Sequence, residues 1–445
     1  MKIVILGNGI SGITAARHIR KNSDHDITVV SDEHSHFFSR TALMYVYMGH
    51  MPFKDIQPYE DWFWEKNRIQ LQSERVTSIS FEEKKLLCKS GATISYDRLI
   101  LALGSKPNKF GWPGQDLDGV HGMYHKQDLE AMERHSTGLK RAVIVGGGLI
   151  GIEMAEMFHS RNIPVTFLVR ESSFWNGVLP QEESEMINRH IREHHIDLRL
   201  ETELKEVVDD GKGKACAVLT QSGERMECGF VGLTAGVRPN IDFLKDTALE
   251  INRGILVDQH LQTNLPDVYA IGDCAEIRTP QPGRRAIEAV WYTGRIMGET
   301  LAHTLCGRPT PYQPGIWFNS AKFFDIEYQV YGNIPARLTD EQASLYWEHP
   351  SGKKAIRINF DMGSGAVLGF NLMGIRYRHE VCEKWIAQGS HIEEVLSNLG
   401  IANFDPEFFD TYEEELVQRY NQQTGRTIQL KKKRGLSAAL AFLRN

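Results

Sequence analysis

Two glycine-rich stretches are the residues best suited to chemistry: Gly7-Asn8-Gly9-Ile10-Ser11-Gly12 and Gly146-Gly147-Gly148-Leu149-Ile150-Gly151. In a GxGxxG spacing the first glycine makes a tight turn and the second lets the backbone approach a diphosphate. The third lets a helix pack closely on a strand. Free N–H groups and the positive end of the helix then face the anion. One such loop is a weak signal, because glycine turns also arise for steric reasons. Two in the same context point to two dinucleotide sites.

The elements around the loops agree with that chemistry. Lys2–Leu6 and Arg141–Val145 are short apolar runs of strand type. Ile13–Arg20 and the stretch from Ile152 to about Ser160 read as the helices that follow them. Each helix leads to a further apolar strand, Ile27–Val30 in the first unit and Val165–Val169 in the second. The pattern is βαβ twice over. The fold expected is α/β, with two Rossmann-type dinucleotide-binding domains. From about Thr310 the pattern changes to alternating, aromatic-rich strands within Trp317–Tyr331, Ser344–Glu348, Lys354–Asp361 and Ala366–Met373. A smaller α+β C-terminal domain is expected there.

The end of the second strand in each unit sets nucleotide preference. Ser31 ends the first, with Asp32 and Glu33 just after, and Asp32 lies 20 residues beyond Gly12. A carboxylate at that span can accept hydrogen bonds from a ribose. The second strand ends Leu168-Val169-Arg170-Glu171. An acid there favours NADH through the 2′-hydroxyl, whereas an arginine accommodates the phosphate of NADPH. Both are present, and the absence of another basic residue before Gly177 tilts the reading towards NADH.

Composition narrows the classes. At 445 residues the chain needs two or three domains, and 41% hydrophobic with 24% charged residues is a globular composition. A net charge of −6 gives no reason to expect nucleic acid as a partner. Six cysteines contain no CxxC pair, which suits a reducing cytoplasm and no metal site. The strand beginning at residue 2 or 3 leaves no room for a signal peptide. No apolar run approaches the ~20 residues of a membrane span.

Leu261–Glu276 reads Leu-Gln-Thr-Asn-Leu-Pro-Asp-Val-Tyr-Ala-Ile-Gly-Asp-Cys-Ala-Glu. This resembles the second FAD fingerprint of the pyridine nucleotide-disulfide oxidoreductase superfamily. Leu99–Pro107, which contains Ala102 and Gly104, and Leu233–Asn240, which contains Gly236, look like the paired crossover strands of the same family. The resemblance covers about residues 1–335 and, more loosely, extends to about 380. It implies FAD on the first glycine loop and NADH or NADPH on the second. It also implies a ribityl contact from Asp273 beside Gly272, and a place for Arg40 near the FAD diphosphate.

The family divides by what lies beside the flavin. Phe37-Phe38-Ser39-Arg40-Thr41-Ala42-Leu43-Met44-Tyr45 has no cysteine, and the first in the chain is Cys88. Thiol–disulfide exchange needs a thiolate there, so the thiol branches are set aside. The stretch is similar to the branch of ferredoxin, rubredoxin and nitrite-reductase-type flavoproteins. Two positions depart from it: Tyr45 replaces a lysine, and Asn319, in Trp317-Phe318-Asn319-Ser320, replaces a tryptophan. The glutamate that pairs with that lysine is present as Glu153, and the resemblance places it at the nicotinamide–flavin contact. Its other reading is an ordinary acid near a helix start.

The implied layout is an FAD domain over 1–112 and 239–312, an NAD(P)H domain over 113–238, an interface-type domain over 313–400 and a helical extension over 401–445. The implied activity passes hydride from nicotinamide to flavin and electrons on to a small redox protein or small-molecule acceptor. NADH oxidase and a nitrite-reductase-like flavin component are the alternatives, as is a redox-sensing nucleotide-binding protein. Thiol relatives dimerise through the third domain whereas ferredoxin-reductase relatives often do not, so the resemblance leaves a homodimer and a monomer both open. Residues 431–445 carry a basic cluster, then Leu436, Leu440 and Leu443 on one helical face. They could dock on an acidic partner or an anionic membrane surface, or form a helix packed on its own domain.

Overall fold

The structure is a computed structural model, and it describes residues 1–405 and 408–431. The chain forms two compact units. One contains 1–146, 157–165 and 204–314; the other contains 147–156, 166–203 and the described residues from Gly315 on.

The first unit is built on a five-stranded sheet in the order Val268–Ala270, Arg98–Leu101, Lys2–Leu6, Asp26–Ser31, Ile69–Ser73. All its ladders are parallel. Ile3, Val4 and Ile5 of the central strand are fully buried, as expected for a parallel sheet covered on both faces. Helix Ile10–Asn22 follows the central strand and packs on helix Trp291–Leu305. Their close approach depends on Gly298, where a Cβ would stand 2.6 Å from the Ser11 carbonyl oxygen. The crossover expected from Leu99–Pro107 and Leu233–Asn240 is present as an antiparallel ladder that sets Val237 opposite Pro107 and Pro239 opposite Ser105. Strand Ala142–Val145 pairs in parallel with Phe230–Leu233, which pairs in turn with Val120–His121.

In the second unit, Thr166, Phe167 and Leu168 pair in parallel with Asp197, Leu198 and Arg199, and helix Gln181–Glu193 connects them in sequence. A five-stranded antiparallel sheet follows, ordered Phe318–Phe323, Ile326–Gly332, Val367–Met373, Ala355–Asp361, Gln342–Glu348. Its core contains the fully buried Phe370, Tyr377 and Trp385 together with Leu416 and Tyr420 of helix Glu413–Thr424. Each such side chain contributes about 1.5–3 kcal/mol of burial. Arg357 of this sheet is buried and forks onto Glu183 at 2.7 and 2.8 Å, with Glu182 at 2.7 Å. An α+β third portion is therefore as expected.

Both loop helices begin three residues earlier than the apolar pattern suggests, at Ile10 and Leu149. Gly12 and Gly151 sit in the first turn of these helices, where close packing outweighs their low helix propensity. No helix among the described residues is long and apolar enough to cross a membrane. Of the C-terminal tail only Lys431 is described, its N–H donating to the Ser397 carbonyl at 2.8 Å. The leucine face beyond it lies outside the described residues.

Candidate functional site: two dinucleotide cradles

The three glycines of the first loop do three different things. Gly7 has φ +118°, and a Cβ there would overlap the Ala102 carbonyl oxygen. A Cβ on Gly12 would overlap the Gly7 carbonyl and stand 3.1 Å from Ile5 Cγ2. Gly9 is the contrast: it has open space around its missing side chain and caps its helix with no side-chain hydrogen bond. A helix start with free N–H groups and nothing filling the approach fits a diphosphate.

The fingerprint turn closes on this loop. Gly272–Cys274 is a short 3-10 turn, and Gly272 has φ +73°. A Cβ on either Gly272 or Gly294 would overlap Ser11 Oγ, so the Ser11 side chain sits between two bare backbones. Asp273 Oδ2 accepts a hydrogen bond from Tyr124 Oη at 3.0 Å, and Tyr124 Oη accepts one from the Ser105 N–H at 2.9 Å. Burial pushes the Asp273 carboxyl up, against hydrogen bonds from Ser105 and Tyr124 and the charge of Arg40. Gly104, at φ +65°, leaves room for Tyr124, whose hydroxyl would lie 2.8 Å from a Cβ. Cys274 is adjacent but buried, its thiol pushed up to about 12. It cannot supply a thiolate at neutral pH.

Arg40 and Glu33 form a two-pronged ion pair, with nitrogen–oxygen distances of 2.8 and 2.6 Å. Arg40 also donates to the Tyr124 carbonyl. Glu33 accepts the Lys126 N–H at 2.9 Å and has His125 Nδ1 at 3.6 Å. Burial raises its carboxyl, but hydrogen bonds from His125 and Arg40 outweigh that and hold it well below the carboxylate range. Asp32 is separate: it is exposed, 3.9 Å from Arg75 Nε. Of the two acids singled out by spacing, only Glu33 is thus joined to Arg40. Tyr124 and His125 carry no motif and escape sequence reasoning.

The second loop repeats the first. Gly146 has φ +117°, and a Cβ there would lie 2.7 Å from Ala235 N. Thr234 Oγ1 braces the preceding strand through the Val145 carbonyl at 3.0 Å. Gly236, at φ +84°, accepts a hydrogen bond from the Asn108 N–H at 3.0 Å. Gly148 has open space where Gly9 does. Ile150 and Gly151 lie in the first turn of helix Leu149–Ser160. One turn on, Glu153 has its carboxyl raised to about 7 by burial, with repulsion from Glu156 adding to it. Glu156 itself accepts a salt bridge from Lys322 at 3.0 Å. Arg170 is exposed and pairs with the half-buried Glu171 at 3.0 Å. Of the two departures, Tyr45 stacks on His50 with ring centroids 5.9 Å apart, and Asn319 lies in a strand opposite Val330. All six cysteines are free.

Two glycine cradles of matching geometry, one closed by an aspartate turn, define the class of paired dinucleotide-binding α/β proteins. The family model described as pyridine nucleotide-disulphide oxidoreductase matches residues 1–294, and the chain belongs to this family. The assimilatory nitrate reductase electron transfer subunit of Bacillus subtilis (strain 168) is 27% identical over 82% of this chain and 47% of its own length. The chain thus spans about half of that relative. The NADH oxidase of Methanocaldococcus jannaschii is 28% identical over 91% of this chain and 94% of its own. The crystal structure of NADH:rubredoxin oxidoreductase from Clostridium acetobutylicum superposes with a TM-score of 0.70 at 25% identity, covering 89% of this chain and 98% of that one. These relatives fit the branch without a redox-active disulfide.

Proposed function

We propose that this chain is an FAD-dependent NAD(P)H oxidoreductase that takes hydride from a nicotinamide and passes electrons to a small redox protein, without a redox-active disulfide. The observation that carries this is the repeated cradle: Gly7 and Gly146 in the same left-handed conformation, each followed by an open glycine at a helix start.

Residues 1–112 with 239–312 form the FAD domain in this reading, and 113–238 the nicotinamide domain. The ladder at Ser105–Pro107 and Val237–Pro239 is where the chain leaves and returns. Gly7, Gly9, Ser11, Gly12 and Ala102 shape the diphosphate pocket of the first domain. Glu33 and Asp32 serve the adenosine side, and Arg40 holds Glu33 in place. Gly104, Gly272 and Asp273 face the ribityl side. Gly146, Gly148, Ile150, Gly151 and Gly236 hold the nicotinamide dinucleotide, with Arg170 and Glu171 reading its ribose. When bound, FAD supplies a two-electron acceptor for hydride and a donor to the next carrier. The chain's own work is orientation and charge. Tyr124 fixes Asp273, and Glu153 is a carboxyl able to hold or release a proton near neutral pH. NADH is the preferred donor, and a small iron–sulfur protein or rubredoxin the preferred acceptor. Six free cysteines suit the reducing cytoplasm.

Anaerobic stopped-flow mixing with NADH and with NADPH, followed at the flavin band, tests the first half-reaction. Bleaching by NADH faster than by NADPH is expected, and bleaching by neither overturns the reading. Screening oxygen, nitrite, ferricyanide, quinones and small iron–sulfur proteins as acceptors separates electron transfer to a protein from oxidase activity.

A further inference from the structure

Beside strand Val120–His121 three side chains meet that belong to neither glycine loop: Asp118, His121 and His135. One ring nitrogen of each histidine and one carboxylate oxygen lie within 4.8 Å of one another. The turn at Gly119 brings Asp118 and His121 together. Its φ is +88°, and a Cβ there would stand 3.0 Å from the Gly229 carbonyl oxygen. His135 comes from the last turn of helix Lys126–Ser136.

The fold holds the group from several sides. The Asp118 N–H donates to the Gly213 carbonyl at 3.0 Å, and the Asp118 carbonyl accepts the Ala215 N–H at 2.9 Å. His121 pairs with Gly232 in a parallel ladder. Both imidazoles rest on the fully buried Phe230. His121 stacks on that ring with centroids 5.8 Å apart, and His135 is tilted against it at 6.1 Å. The two imidazoles are 5.5 Å from each other. Strand, helix and buried ring thus set the positions without help from a ligand.

The protein's own contacts leave the group incomplete. Nε2 of His135 lies 3.0 Å from Asp118 Oδ1, and the His135 side chain is only 10% exposed. That pair accounts for two members of the three. Nε2 of His121 is buried and has no hydrogen-bond partner among the described residues. A buried polar atom is seldom left so, and a bound ion or water is a usual reason. Asp118 is the open side of the group: its side chain is 61% exposed, which gives an ion a path from solvent.

We propose that Asp118, His121 and His135 bind a divalent cation of the zinc class, which joins the strand, the turn before it and the end of the helix. Two imidazole nitrogens and one carboxylate oxygen are the donor set of a borderline metal, and water completes the shell. With zinc about 2.0–2.2 Å from each donor, the 3.0 Å gap between His135 and Asp118 admits the ion at an angle of about 90–95°. Widening that gap by about 0.4 Å gives the tetrahedral angle. The His121 nitrogen, within 4.8 Å, closes by at most about 1.4 Å through rotation of its ring.

The test uses the untagged, flavin-loaded full chain, treated with EDTA, desalted and titrated with zinc chloride by calorimetry. One equivalent is expected to bind, and zinc at about a hundredfold its dissociation constant raises the thermal midpoint by a few degrees. Magnesium chloride at the same concentration leaves the midpoint unchanged, because magnesium takes oxygen donors. Asp118→Ala and His135→Ala each weaken zinc binding at least tenfold and remove the thermal response. Asp118 is exposed, so its loss leaves the fold intact, and circular dichroism checks both variants. A second histidine–carboxylate group, His190, His194 and Asp325, supplies the control: His194→Ala leaves zinc binding unchanged. No binding by the wild type, unchanged binding in both Asp118→Ala and His135→Ala, or loss in His194→Ala alone overturns the proposal.

Discussion

Replacing Glu153 with glutamine isolates the cost of a charge in the second cradle. A free glutamate titrates near 4.5, and this one is raised to about 7 by burial and the neighbouring Glu156. At about 1.4 kcal/mol per tenfold change in proton affinity, the ionised form costs the fold about 3 kcal/mol relative to the unfolded chain. The sign follows from the direction of the shift. Below pH 4.5 both states hold the proton and there is no penalty. Between 4.5 and about 7 the unfolded state has lost it while the folded state keeps it, so stability falls as pH rises. Above about 7 the penalty is complete and constant. Glutamine has no such term. Glu153→Gln is therefore isostable with the wild type near pH 4.5 and up to about 3 kcal/mol more stable at pH 8. Urea unfolding without nicotinamide, followed by far-ultraviolet dichroism at both pH values, measures the difference. An equal stability difference at the two pH values refutes the reasoning.

Gly7→Ala drives a methyl into the Ala102 carbonyl at a left-handed position, and the purified variant is expected to carry little flavin, read from its visible absorbance. Tyr124→Phe removes the donor to Asp273 and weakens flavin retention by about 2 kcal/mol, a value that flavin release during dialysis reports. Glu171→Ala frees Arg170 and raises kcat/KM for NADPH relative to NADH by roughly tenfold, about 1.4 kcal/mol. Arg357→Met leaves Glu183 buried and unpaired and lowers stability by about 3–5 kcal/mol, visible in the denaturation midpoint.

What could be read from the sequence was local. Glycine spacing and apolar runs of four or five residues depend on neighbours within one turn or strand, so both βαβ units and the Asp273 turn were legible. The partners of the site were not. Arg40 meets the Tyr124 carbonyl and Glu33 meets the Lys126 N–H across some ninety positions, a closeness that only the folded sheet creates. Asp32 had the better spacing from Gly12, yet Glu33 is the acid buried against Arg40, because spacing alone does not distinguish which side chain points inward.

The order of strands in the first sheet sets a timetable for making the protein. Strand Val268–Ala270 completes the sheet beside Arg98–Leu101, and helix Trp291–Leu305 covers the loop helix. Residues 102–267 are synthesised between those partners, which at about 5–20 residues per second is roughly ten to thirty seconds on the ribosome. Until then the Ser11 hydroxyl lacks the glycine backbones of Gly272 and Gly294 that enclose it, and the first cradle stands half built. The inserted strands between Val120 and Leu233 have their partners first. If FAD takes the first cradle as proposed, its capture is a late event in the life of each chain, reserved for molecules already translated past residue 300.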